Sequence, residues 1–179
     1  MTRRLLRSAS RLSGSVPHDR VAALVAHFSL RPHPEGGHYR EVHRPTDSVQ
    51  PADERPLRPA LTTIYFLLTA GEISRWHRVL SDESWHYHEG APLELTITAP
   101  DFEGIATHRV GPFDAASATE PMRVVPAGWW QAARSTGEYT LISCCVGPGF
   151  VFDDFAMLRD LPDDAARLSR IHPSVASLV

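Results

Sequence analysis

Two periods run through the apolar positions of this chain. Near the start Val21, Leu24, Val25 and Phe28 recur at helical spacing, and Asp19 stands where a helix cap would be. The prolines and glycines of "RPHPEGG" end that pattern. From there to about residue 158 the texture is strand-like, in "HYREVHR", "LTTIYFLLT", "ISRWHRVL", "ESWHYHE", "PLELTITA", "GIATHRV", "MRVVP", "WWQAARS" and "YTLISCCV". About nine short segments, most of them divided by Gly, Pro, Asp or Ser, predict an all-β fold built as an antiparallel sandwich or barrel. Residues 45–60 carry four prolines and read as a surface loop. The end of the chain, "LPDDAARLSRIHPSVASLV", predicts one short helix after Pro162 and then frays.

This organisation gives a flexible basic tail at residues 1–17, a single domain at 18–160 and a C-terminal extension at 161–179. A chain of 179 residues can bury one full-sized core. The first eighteen residues hold four arginines and no acid, but no apolar stretch of the kind a secretory signal needs follows them, which favours a mobile tail. A net charge of −3 gives no overall basic field, so nucleic acid is not an expected partner. No apolar run has the length of a membrane span. Cys144 and Cys145 are neighbours, and neighbours on a strand face opposite ways, so they read as free thiols. A reducing cytoplasm is the expected compartment.

The candidate chemistry lies in residues 75–90, "RWHRVLSDESWHYHEG", where three histidines and three acids surround two tryptophans and a tyrosine. Strand alternation puts His77 and Val79 on one face and Trp76 and Arg78 on the other. After the turn, Glu83, Trp85 and Tyr87 share a face, while His86 and His88 look the opposite way unless a bulge redirects one. His77 and Glu83 can therefore meet across a hairpin. Upstream, the glycines of "HPEGGHYRE" permit a tight turn that could carry Glu35 and Arg40 to the mouth of the fold, whereas His33, His38 and His43 read as surface or turn residues.

"WHRVLSDESWHYHEGAPLEL", then "VVPAGWWQAA" and "CCVGPGFVFDDF", together with "HPEGGHYRE" and "IYFLLTAGE", resemble the cupins, and more narrowly the small family catalogued as cupin 5. The resemblance runs over roughly residues 24 to 158 and implies a cupin-type antiparallel double-stranded β-helix, a jelly-roll barrel, with a short helix at each end. It also implies positions for metal ligands. His77 stands at the first histidine position and Glu83 at the glutamate, with Gly90 at the motif's glycine. The second histidine position is Val79, and the ligand position after Pro126 and Gly128 is Gln131. Valine offers no ligand atom and glutamine only a neutral oxygen.

Three functions follow. The first is a small-molecule enzyme with isomerase- or epimerase-like acid–base chemistry and no required cofactor. In it His77 and Glu83 act as base, Tyr65 supplies the acid (with Tyr87 or Tyr39 in reserve), and Gln131, Trp85, Tyr87, Glu35, Tyr39 and Arg40 hold a polar, sugar-like substrate. Histidine beside a carboxylate is the motive, since such a pair titrates near neutrality. The second is a metal-dependent cupin enzyme, an oxygenase, decarboxylase or lyase, holding Mn, Fe, Ni or Zn through His77, Glu83 and Gln131. The third is a non-catalytic metabolite-binding module. Jelly rolls leave sheet edges to cover, so a homodimer is expected, with His86, His88 and Arg78 candidates for its interface. No Walker, dinucleotide-binding or Gly-x-Ser-x-Gly pattern occurs.

Overall fold

The computed structural model describes residues 17–179; the expected basic tail lies almost wholly outside them. Helix α1 (Pro17–Phe28) opens the described chain, so Asp19 falls inside its first turn instead of capping it. Strands follow in the order β1 (Arg31–Pro32), β2 (His38–His43), β3 (Ser48–Val49), β4 (Arg58–Pro59), β5 (Thr62–Thr69), β6 (Ile73–Val79) and β7 (Asp82–Gly90). Then come β8 (Leu93–Thr98), β9 (Ile105–Val110), β10 (Thr119–Glu120), β11 (Met122–Val125), β12 (Trp130–Ser135), β13 (Tyr139–Gly147) and β14 (Phe155–Met157). Helix α2 (Pro162–Ile171) and a 3-10 helix, Pro173–Leu178, close the chain.

The strands form two six-stranded sheets, ordered β1-β2-β5-β13-β7-β11 and β10-β9-β8-β12-β6-β14, with β3 and β4 as a separate pair. Pairing is antiparallel except for the short β9–β10 contact. This is the all-β jelly-roll architecture expected for the chain, with a short helix at each end.

Alternation explains what fills the space between the sheets. On β5, Phe66 and Leu68 join Trp85, Leu93, Leu95, Ile97 and Ile142 in the inner core, while Thr62 and Ile64 on the same face line a cavity. On β13 the same inward face passes from Ile142 in the core to Cys144 and Val146 at the cavity. One half of the sandwich is therefore solid and the other hollow. Leu67, on the outer face of β5, is buried under Leu24 and Leu30 at and just beyond α1. That second burial is why "IYFLL" reads as a continuous apolar run and not as an alternation.

The outer face of the second sheet is covered by the end of the chain. Trp76, Phe102, Trp130, Leu158 and Leu168 form one cluster, against which Val175, Leu178 and Val179 pack. The Trp76 indole donates to the Val175 carbonyl at 3.2 Å. The expected frayed end is thus structural, because two tryptophans on a sheet face need an apolar cover. The 45–60 loop is likewise anchored: Arg58 is buried, and its guanidinium donates through Nε and Nη2 to the Asp154 carboxylate, both at 2.8 Å.

Candidate functional site

The hollow half holds a cavity of about 280 Å³ between the two sheets. His77 and Val79 enter it from β6, Glu83 from β7, Cys144 and Val146 from β13, and Tyr39 and Glu41 from β2. Glu35 comes from the turn between β1 and β2, and Phe150, Phe152 and Phe155 wall one side.

His77 is 2 % exposed, and its Nδ1 lies 2.7 Å from the Arg75 carbonyl. A carbonyl only accepts, so Nδ1 carries the proton and Nε2 presents a lone pair. That lone pair faces Glu35, whose Oε2 is 3.3 Å away. Burial pushes Glu35 up to about 8, against the hydrogen bond that Ser74 Oγ donates to it at 2.9 Å, so near neutral pH it is a protonated acid. Burial also lowers His77, against the pull of the Glu83 carboxyl. The contact is thus a neutral base facing a neutral acid.

Glu35 owes its place to the glycines that follow it. Gly36 has φ of +115°, and a Cβ there would sit 2.1 Å from the Ile73 carbonyl oxygen. Gly37 has φ of +68°, and its Cβ would meet the Leu67 carbonyl oxygen at 2.8 Å. Only glycine lets the backbone approach both sheets this closely. The same turn brings in His33, whose side chain is 7 % exposed and whose Nδ1 is 3.3 Å from Glu35 Oε2. His33 Nδ1 also accepts the Glu35 backbone N–H at 3.3 Å. Burial, with help from His77 and Arg31, lowers His33 to about 3, so it too is neutral. His33 is therefore on the turn, as expected, but it is a buried cavity residue and not a surface one.

Glu83 lines the cavity, but its closest partner is Gln131, whose Nε2 donates to Glu83 Oε2 at 2.6 Å. The Trp85 indole in turn donates to Gln131 Oε1 at 2.9 Å. This chain fixes the amide, since turning it would set its NH₂ against the indole N–H. The expected metal set of His77, Glu83 and Gln131 therefore does not fit an ion: the glutamine oxygen is spent on Trp85 and a donor N–H faces Glu83. Among the described residues no group of three His, Cys, Asp or Glu is arranged to hold a metal. Desolvation raises Glu83, and desolvation with the nearby carboxyls holds the Cys144 thiol well above its ordinary value, so Cys144 is not an activated nucleophile.

Several expected site residues stand elsewhere. Tyr65 is on the outer face of β5, tilted against Phe28 at 4.5 Å between ring centroids, and does not reach the cavity as an acid. Arg40, its register partner, also faces out and donates to the Phe28 carbonyl at 3.1 Å. Tyr87 packs against the inner core with its hydroxyl on the Gly90 carbonyl at 2.7 Å. Trp85 and Gln131 are buried behind Glu83 and do not line the cavity. His88 sits at a bulge, where Glu89 and Tyr87 pair with consecutive residues of β13, and contacts Ser143 Oγ at 2.9 Å. The carboxyl nearest His77 is Glu35, since Glu83 is drawn to Gln131. At the mouth, Arg31 lies over the Tyr39 ring, and Arg44 is held by Glu41. The sequence pattern does not mark His33, Arg31 and the phenylalanines as site residues, because they stand on turns, a 3-10 helix or edge strands of two or three residues. The Gly-Gly pair after Glu35 was the usable signal.

The family described as Cupin superfamily (DUF985) matches residues 22–158. A solved hypothetical protein from Leishmania major is 31 % identical, with a TM-score of 0.76 over 88 % of this chain and 95 % of that one. Protein SO0799 from Shewanella oneidensis is also 31 % identical, with a TM-score of 0.74 over 87 % of this chain and 93 % of that one. Oxalate decarboxylase from Bacillus subtilis, 18 % identical, has a TM-score of 0.54 over 85 % of this chain and 38 % of its own, a likeness of fold alone. No curated protein matches the sequence. No helix among the described residues is long and apolar enough to cross a membrane.

Proposed function

This chain belongs to the Cupin superfamily family DUF985, and we propose that it is an acid–base enzyme that moves a proton on a carbon of a small polar metabolite, an isomerase- or epimerase-like activity. The observation that carries this reading is the pairing of the His77 Nε2 lone pair with a Glu35 carboxyl that holds its proton near neutrality. A substrate carbonyl beside Glu35 would accept its hydrogen bond, acidifying the adjacent C–H, and His77 Nε2 would take that proton. Returning it to a different carbon or face gives the isomer and restores both groups. Each proton transfer of this kind is worth about 10²- to 10⁴-fold in rate.

The environment suits the task. Desolvated groups keep their protons matched to the reaction, and perturbed acids and bases in one cleft mark functional sites. Glu83 stands across from His77 with its carboxyl fixed by Gln131, where it favours the imidazolium formed in the reaction. Candidate hydroxy and keto metabolites incubated with the enzyme in D₂O should take up deuterium at carbon, read by NMR or mass spectrometry. Binding without exchange for every ligand found would leave a metabolite-binding module and end the catalytic reading.

A further inference from the structure

The charges at the cavity mouth are unequal in their commitments. Arg44 is locked: its Nε and Nη2 donate to the two Glu41 carboxylate oxygens at 2.9 and 2.6 Å, and its Nη1 to the Phe150 carbonyl at 3.1 Å. Arg31 is different. It lines the cavity from the two-residue edge strand β1, and among the described residues its guanidinium makes no hydrogen bond or ion pair. It rests over the Tyr39 ring at 5.0 Å from the centroid, a contact that costs little to leave at an exposed site.

From Arg31 a continuous series leads inward. Tyr39 stands edge-on to His33 at 4.4 Å between centroids, and His33 and His77 each lie 3.3 Å from Glu35 Oε2. We infer that the substrate is a small anion whose carboxylate or phosphate group is held by Arg31 at the mouth while its reacting carbon lies between Glu35 and His77. A guanidinium presents paired N–H donors that match either oxyanion, and such charge-assisted bonds are roughly twice as strong as neutral ones. The neighbours favour this reading, because the other mouth arginine is already neutralised by Glu41. Arg31 is then a specificity-determining residue, not a catalytic one. The inference rests on the proton-transfer reading for the place of the reacting carbon, and on the mouth alone for the charge.

The test is calorimetric titration of the full chain with malate, gluconate and glucose 6-phosphate, against neutral glucose and dimethyl malate. At about 20 mM salt at least one anion should bind tenfold or more tighter than its neutral counterpart, and the preference should shrink at about 300 mM salt. Gluconate or malate winning identifies a carboxylate; glucose 6-phosphate winning identifies a phosphate. Arg31→Gln should reduce the preference to within about twofold, and Arg31→Lys should keep part of it. No preference in the wild type, no binding of any of the anions, or a preference surviving Arg31→Gln overturns the inference. Repeating the titration in His77→Gln separates the two proposals: an intact preference there, with no deuterium exchange by the wild type, sinks the chemistry and leaves the anion site standing.

Discussion

Glu35 and His77 face each other at 3.3 Å, one on a glycine turn and the other on a sheet strand, and each is held in the protonation state the other can use. The consequence is a definite pH profile. Activity needs His77 neutral, which burial favours by lowering its pKa below the ordinary histidine value, and Glu35 protonated, which fails above about 8. The ratio kcat/KM for exchange should be flat from mildly acidic to neutral pH and fall on the alkaline side. Glu35→Gln should lower the plateau and remove the alkaline fall. An alkaline limb unchanged in that variant assigns it to another group.

His77→Gln keeps a polar side chain of similar reach while deleting the base. Exchange should drop about 10²- to 10⁴-fold, with Tm within a few degrees of wild type. Equal loss of Tm and activity would make His77 a packing residue only.

Stability should slope with pH in two opposed directions. Glu35 is raised from 4.5 to about 8, so the native state holds a proton that the unfolded state has released, and stability is lost as pH rises through that interval. His33 is lowered from 6.5 to about 3, so its contribution is present above 6.5 and lost as pH falls toward 3. Glu35→Gln should therefore gain stability relative to wild type as pH rises from 5 to 8.5, by about 2–4 °C in Tm per kcal/mol recovered. His33→Asn should gain relative to wild type as pH falls from 7 to 4. Parallel Tm-against-pH curves for wild type and variants would show that neither group is held off its ordinary value.

How much of this was legible in the sequence depended on how local the cause was. Strand alternation suffices to set His77 and Val79 against Trp76 and Arg78, and the solid and hollow halves follow the same rule. Alternation sets Trp85 inward but does not say how far the solid core reaches, so Trp85, expected at the pocket, is core. Tyr65 went astray for the related reason that both faces of β5 are buried, one by the second sheet and one by α1. Glu35 was readable as poised near the mouth from its glycines, but its contact with His77 depends on how the turn seats against Ile73 and Leu67, a tertiary matter.

Gln131 tests the metal question directly. Gln131→Ala would leave the Trp85 N–H and one Glu83 oxygen buried without partners, each a penalty of about 1–3 kcal/mol. Tm should fall on the order of 5–10 °C, while elemental analysis of tag-free protein gives the same divalent metal content before and after. A near-stoichiometric metal in the wild type that the substitution removes would restore Gln131 as a ligand.

The aromatic wall of the cavity is held from outside it. Phe152 and Asp154 share one 3-10 turn, and the Asp154 carboxylate takes two bonds from Arg58 and one from Arg55 Nη1, all at 2.8 Å. Those bonds pull Asp154 below the usual carboxylate range, so the ion pair persists into acid. Phe150, Phe152 and Phe155 stack edge to face with one another around this point, at 5.1–6.2 Å between centroids. Asp154→Ala strands the buried Arg58 guanidinium and frees the turn, so the wall loses its fixed position although no cavity residue has changed. Ligand affinity should weaken about tenfold and Tm should drop on the order of 5 °C. Asp154→Glu, which keeps the charge, should recover part of both; a variant that loses stability yet binds ligand normally would show that the wall is set by the phenylalanines alone.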